Sequence, residues 1–265
     1  MNGAAAAPGA LDLLIAAGLL AAEAGASALL GLGLARPALV SAARMAAQLL
    51  LVGLVLRWVF AAGSAPLTAG LVALMLLVAA REIAARPEQR LRGGGNLLVS
   101  AAAAAAGTGA AAIALAFTSL RPAPWWEPRA AIPLAGILLG AALNAGSLAL
   151  DTALGGAVAR RASIEARLAL GATWREATRD LLREATRRGL VPALNQMAAA
   201  GVITLPGVMT GQILAGADPE AAVRWQIALL LLLAGTSGLT AYAAAALALR
   251  RLTDGRERLR LDRLA

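Results

Sequence analysis

Long apolar runs separated by short polar breaks dominate the chain. Runs at residues 11–34, 38–60, 67–85, 96–120, 132–159, 190–214 and 220–249 each lie close to or above the roughly 20 residues that a helix needs to cross a bilayer's hydrocarbon core. Seven such spans use up most of the 265 residues. The pattern therefore predicts an all-α polytopic membrane protein, a single transmembrane domain over residues 1–265 with about seven transmembrane helices. The segment before the first run, MNGAAAAPGA, lacks the positive charge of a secretory leader, so the first run is expected to stay as a helix.

The breaks differ in character. Arg36-Pro37 is expected to close the first span, and an uncharged AGSAP turn follows the second. REIAARPEQRLRGGG follows the third, and RPAPWWEPR follows the fourth with Trp125 and Trp126, whose indoles suit the membrane-water interface. The fourth run is almost entirely Ala, Gly and other small residues, which favours close backbone approach inside the subunit or against a second copy. The sixth is interrupted by Pro192, Gly201, Pro206, Gly207 and Gly211, and a hinge is expected at Pro206, Gly207 and Gly211. Asp218 can cap the last helix, with Pro219 at its first position.

Charge orients this scaffold. All 24 basic residues are Arg, and the net charge is +9. With the N-terminus outside and the C-terminus inside, only Arg121, Arg129 and Arg224 fall outside, and Arg44 and Arg57 lie within spans. Every other Arg faces the cytoplasm, as the positive-inside rule requires. The basic balance is thus explained by the bilayer, and no nucleic-acid partner is expected.

Residues 160–188, RRASIEARLALGATWREATRDLLREATRR, hold eight Arg between two apolar runs. They are predicted to form two cytoplasmic helices. The first covers 163–170, with Ser163 as its cap, Glu165 in the first turn and Gly171 as terminator. The second opens on the capping box Thr173-Trp-Arg-Glu176. In it Arg175, Arg179, Arg183 and Arg187 form a stripe, opposite an apolar face of Trp174, Ala177, Leu181 and Ala185. That second helix is equally compatible with lying on anionic headgroups. The first is short and mostly apolar, and it calls for a groove on a partner.

With no Cys, His or Lys, the chain has no thiolate or imidazole ligand, no imidazole base and no Walker lysine, so any ATP hydrolysis must come from another chain. Ionisable groups within spans mark functional sites by default, which singles out Glu23, Arg44 and Asp151. Mutual pairing, such as Glu23 with Arg44, is an equal alternative. Gln48, Asn195, Gln212 and the thioethers of Met197 and Met209 complete the candidate translocation pathway; the two Met sit in the broken sixth run, where freed carbonyls can line a cavity. The metal ligands, if any, stay unassigned.

Glu165, Ala166 and Gly171 keep the EA...G spacing of the coupling loop of ABC importer permeases, with Arg167 in place of the second Ala. A wider resemblance covers the whole chain. SIEARLALGAT (163–173), VPALNQM (191–197), LPGVMTGQILAGADPEAAVRWQI (205–227) and the Ala43-Arg44-x3-Gln48 element resemble the FetB-type permeases, described as iron-export ABC transporter subunits, with plant relatives linked to aluminium tolerance. The resemblance implies a multi-pass permease of the bacterial inner membrane that is not itself an enzyme. It would pair as a homodimer with two ABC ATP-binding subunits, which would hold the ATP and Mg; this chain would bind no cofactor. Ser163, Ile164, Glu165, Ala166, Leu168 and Gly171 would form the coupling helix, and the cargo would be iron or another metal.

Other readings are a permease for a metal complex or a sugar nucleotide, and a transporter or channel that needs no ATPase. Gly235-Thr-Ser-Gly238 matches the GxSG of rhomboid proteases, but the chain has no His to activate the Ser. Asp254-Gly255 matches a fragment of a phosphotransferase-like acidic motif, without its partner carboxylates.

Overall fold

The computed structural model describes residues 9–118 and 121–265, and within them every extended element is a helix. The chain divides into two compact units, one ending at Gly63 and one spanning Ser64–Ala265.

The first unit holds α1 (Ala10–Leu29) and α2 (Ala35–Ala62). At the start of α1 the backbone N–H of Gly9 donates to Asp12 Oδ2 at 2.7 Å, which satisfies one of the free donors of the first turn. α1 stops short of the expected boundary at residue 34, because Gly31 (φ +66°) and Gly33 (φ +73°) take up left-handed backbone that ends a helix. The chain then reverses, and Leu34 N–H donates to the hydroxyl of buried Ser27 at 3.1 Å. Arg36-Pro37 consequently opens α2 instead of closing α1, and a first-turn Pro costs no hydrogen bond there. Val59 is the one buried residue of α2, so the rest of its apolar surface is left for lipid or protein outside the unit.

The second unit holds α3 (Ala65–Ala85), α4 (Gly95–Ala116), α5 (Pro128–Ala159), α6 (Arg161–Ala169), α7 (Trp174–Ala199), α8 (Gly207–Leu214) and α9 (Pro219–Arg251). α5 and α9 form the central pair; α3 packs on α5, α4 on α9, and α7 on both. The fourth expected span ran to residue 120, but α4 ends at Ala116, and residues 119–120 lie outside the described residues. α5 has 32 residues, hence a length of about 48 Å. That exceeds the roughly 30 Å hydrocarbon thickness.

Among the described residues six helices are long and apolar enough to span a membrane: α1, α2, α3, α4, α5 and α9. The expected sixth span at 190–214 is not one helix. α7 runs unbroken from Trp174 through Gly189 and Pro192 to Ala199, so the second expected cytoplasmic helix and the first half of that span are a single element. Gly189 stays helical because the fold needs it bare: a Cβ there would lie 2.6 Å from the Ala145 carbonyl and from Ala241 Cβ. The break falls later, at Gly201 (φ +84°), where Ile203 and Thr204 donate back to the Ala199 carbonyl and Gly201 donates to Thr204 O at 2.9 Å. α8 then starts after Pro206.

Two apolar clusters form the core of this unit. One joins Leu134 and Leu138 of α5 to Leu229 and Leu233 of α9, with Ala111 and Leu115 of α4. The other gathers Leu150 and Leu154 of α5, Ala245 and Leu249 of α9, Leu181 of α7 and Ile164 of α6 at the Arg-rich end. Between them the backbones close in. A Cβ on Gly107 of α4 would lie 2.0 Å from Thr240 Oγ1 and 2.7 Å from the Thr236 carbonyl, and one on Gly146 of α5 would meet Ile83 and Thr240 at 3.2 Å.

Gly107→Ala is therefore expected to lower thermal stability in detergent by the ~1–3 kcal/mol typical of overpacking. Gly109→Ala, with nothing within 4 Å of its Cβ, should melt at or slightly above the parent. Equal melting of the two variants would mean that α4 does not cross α9 at Gly107.

Candidate functional site

Three chain segments meet at the Arg-rich end of the second unit: the α3–α4 loop, the α6–α7 region and the residues after α9. α6 is held from below and free above. Ile164 is buried in the core with Leu154, Ala157, Trp174 and Leu181, and Leu168 is half-buried beside them. Ser163 and Ala166 are exposed, and Glu165 is exposed and pairs with Arg161 at 2.9 Å, one turn back on the helix.

Ser163 does not cap the helix as expected. α6 begins at Arg161, directly after α5, and Ser163 lies inside the first turn. The expected terminator is in place: Gly171 has φ +91°, and Gly171 and Ala172 donate to the carbonyls of Leu168 and Arg167 at 3.0 and 3.1 Å. Leu170, just before this turn, is 88% exposed.

The start of α7 is fastened on two sides. Thr173 and Glu176 form the expected reciprocal box: the Glu176 N–H donates to Thr173 Oγ1 at 3.3 Å, and the Thr173 N–H donates to Glu176 Oε2 at 2.8 Å. These bonds from Thr173, the backbone donor first, hold the Glu176 carboxyl below its ordinary pKa. The Trp174 N–H donates to Glu257 Oε2 at 2.8 Å, from the other end of the unit's sequence. Ion pairs Arg167–Asp180 at 3.0 Å and Arg160–Glu184 tie α6 and the end of α5 to α7. Arg175, Arg179, Arg183 and Arg187 form the expected exposed stripe.

The segment after α9, expected as a short basic tail, is a folded clamp. Thr253 and Leu259 face each other across a hairpin, and Arg260 N–H donates to Leu252 O at 2.9 Å. Asp254 organises the turn: Oδ1 accepts the N–H groups of Arg256 and Arg258 at 3.0 and 3.1 Å, and Oδ2 accepts Arg258 Nε and Nη2 at 2.9 and 2.7 Å. Asp254-Gly255 is thus an Asx turn and not part of a catalytic motif. The Arg258 side chain is the main cause holding the Asp254 carboxyl well below the usual range, and the Arg260 guanidinium holds Asp262 at about 2. Glu257 takes up left-handed backbone (φ 54°), which costs an L-residue roughly 1–2 kcal/mol. That conformation brings its carboxylate to Trp174.

Beyond the hairpin the chain pairs with the α3–α4 loop. Arg92 N–H donates to Arg263 O at 2.8 Å, Ala265 N–H donates to Arg90 O at 2.7 Å, and Leu91 and Leu264 bury against each other's strand. Buried Asn96 holds the loop's other side, accepting Leu91 N–H at 3.1 Å and donating to Ala84 O at 2.9 Å. Glu88 N–H donates to Asp151 Oδ1 at 3.2 Å. Asp151, expected within a span, thus joins α5 to this loop. The roles of Asn96, Asp254, Glu257 and Arg263 were not read from the sequence, although the Asp-Gly dipeptide is a turn signal.

The other pathway candidates fall in two places. Glu23 on α1 and Arg44 and Gln48 on α2 are exposed on the first unit. In the second unit Asn195 is exposed at the end of α7, Met197 packs half-buried against the Leu134–Leu229 cluster, and Met209 and Gln212 are half-buried on α8. Of the expected hinge residues, Pro206 and Gly207 begin α8, but Gly211 lies inside it, and the left-handed residue of the break is Gly201. Among the described residues no group of three Asp or Glu side chains could hold a metal ion.

Residues 10–253 match the family model described as "Uncharacterised protein family (UPF0014)". The chain is 33% identical over 233 residues to the UPF0014 membrane protein slr1647 of Synechocystis, covering 86% of this chain and 88% of the relative. It is 31% identical over 233 residues to the Escherichia coli protein named "Probable iron export permease protein FetB", covering 88% of each. It is 33% identical over 206 residues to the UPF0014 membrane protein STAR2 of rice, covering 78% of this chain and 70% of the relative. No solved structure matches the chain.

Asp254→Ala is expected to open the clamp and speed tryptic cleavage after Arg256 and Arg258 several-fold at pH 8. Protection matching the parent would show that Asp254 does not hold the turn. Asp254 and Asp262 have depressed pKa values in the fold, so their contribution is complete above the unfolded carboxylate value of about 4. It is lost as pH falls towards the folded Asp262 value of about 2. Hydrogen exchange at the Arg256 and Arg258 amides, corrected for intrinsic rate, should thus be unchanged between about pH 8 and 5.

Proposed function

Because the chain belongs to the UPF0014 family of membrane proteins, we propose that it is the membrane-spanning permease subunit of an ATP-driven ABC transporter. Energy comes from a separate ATP-binding subunit, and the cargo is iron or another metal moved outward. The Escherichia coli relative's name supports the cargo and the direction. The single observation that carries the coupling is α6, a nine-residue helix at the Arg-rich end. It is rigidly rooted through Ile164, yet it presents Leu170 fully outward beside a glycine turn. A large apolar side chain at the end of a well-fastened helix, outside the apolar spans, is suited to a groove on another protein.

In this reading two permeases pair with two ATP-binding subunits in the bacterial inner membrane, and ATP and Mg reside on the partner. Ser163, Ile164, Glu165, Ala166, Leu168 and Gly171 belong to the coupling element. The candidate pathway residues are taken unit by unit: Glu23, Arg44 and Gln48 in the first, and Asp151, Asn195, Met197, Met209 and Gln212 in the second, with the break at Gly201–Pro206 as the joint. Asp151 also accepts the Glu88 N–H of the α3–α4 loop. The donors on α7 and α8 are amide oxygens and thioethers, a weak set that favours release over retention.

Reconstitution into vesicles with the organism's ABC ATP-binding subunits is expected to give iron efflux only when one of them and ATP are supplied. Transport without any ATPase would overturn the reading. Glu165→Arg and Gly171→Pro should lose most ATP-dependent transport while keeping the parent's melting temperature in the spans. Pro cannot adopt the φ of +91° found at Gly171. Normal transport by both variants would remove α6 from the coupling path.

A further inference from the structure

The clamp after α9 does more than close the fold. Its hairpin stands beside α6, and the two enclose a cleft of about 640 Å³ lined by Leu168, Gly171 and Ala172 on one side and Arg256, Arg258 and Leu259 on the other. The walls are fixed relative to each other, since Glu257 holds the first N–H of α7 at 2.8 Å.

The charges inside the cleft are unevenly matched. Arg258 is neutralised by Asp254 at 2.7 Å, and Glu165 by Arg161 at 2.9 Å. The guanidinium of Arg256, exposed at the hairpin tip, meets no carboxylate among the described residues. At the end of α6, next in sequence to the lining residue Gly171, Leu170 is 88% exposed. One free cation and one free apolar side chain on a rigid rim describe the complement they need: an acidic side chain next to an apolar pocket.

We propose that the hairpin is the second wall of the ATP-binding subunit's docking cleft, with Arg256 pairing to an acidic residue of that subunit while Leu170 enters an apolar pocket beside it. This rests on the reading of the chain as an ABC permease. It extends that reading, because the partner would then grip two segments far apart in sequence and a push on either would reach α7 through Trp174 and Glu257. Glu257 is a positioning residue in this arrangement: it makes no contact with the partner and holds the hairpin wall in place.

The test uses the full-length protein in phosphatidylcholine nanodiscs free of anionic lipid, and the purified ATP-binding subunit whose addition makes vesicle transport ATP-dependent. Arg256→Glu is expected to weaken binding by about tenfold, ~1.4 kcal/mol, and to reduce its salt dependence, with Arg256→Gln in between. Melting should not change, because the exposed Arg256 side chain forms no ion pair among the described residues. Leu170→Ser should weaken binding without altering salt dependence, and Arg179→Gln on the α7 stripe should leave binding unchanged. Glu257→Gln, which keeps a hydrogen-bond acceptor for Trp174, should bind nearly as the parent, and Glu257→Ala should lose transport per ATP hydrolysed more than it loses binding. Parent-like binding and coupling by Arg256→Glu would overturn the proposal and leave the permease reading intact. So would an effect of Arg256→Glu seen only with anionic phosphatidylglycerol present, which would make the site a lipid contact. Failure of the parent to bind or to require any ATPase would overturn both.

Discussion

The second unit depends on how near its helices come to the middle of α9. In lipid there is little hydrophobic drive between helices, so association rests on contact between backbones. Around Thr240 and Ala241 that contact is extreme: Gly107 of α4 and Gly189 of α7 leave no room for a methyl group, and at Gly146 of α5 one would press on Ile83 and Thr240 at 3.2 Å. Those three glycines come from three different helices and converge on one turn. The apolar clusters on either side of this point can close only because the backbones have already met there.

One consequence is the continuity of α7. Gly189 and Pro192 would weaken an isolated helix at that place, yet tight packing against Ala145 and Ala241 favours the helical backbone and carries it through. The Arg-striped first half of α7 and its apolar second half are therefore one continuous helix. It runs from Trp174 to Ala199 and the break at Gly201, beyond which Met209 and Gln212 lie on α8.

At the Arg-rich end, short polar segments build a plate that the apolar pattern does not announce. Its bonds are polar and both local and long-range: Asp254 collects four donors, Asn96 bridges two chain segments, and residues 263–265 pair with the α3–α4 loop. Such a plate gives α6 a firm footing, through Arg167–Asp180 and the Trp174–Glu257 bond.

The helical class, the bilayer as solvent, the capping box at Thr173 and Glu176, the cap at Asp218, and the glycine end of α6 were all legible in the residues, because each depends on neighbours within four positions or on mean apolarity. The resemblance of 163–173 and 205–227 to a permease family pointed to the same place as the matched family. What the chain alone did not disclose is long-range. The fusion of two expected helices into α7, Asp151 as a loop anchor and the pairing of residues 263–265 with the α3–α4 loop are decided by partners many residues away. Glycine shows this most plainly: Gly171 and Gly201 end helices and Gly189 does not, since only at Gly189 does another helix fill the space a turn would need.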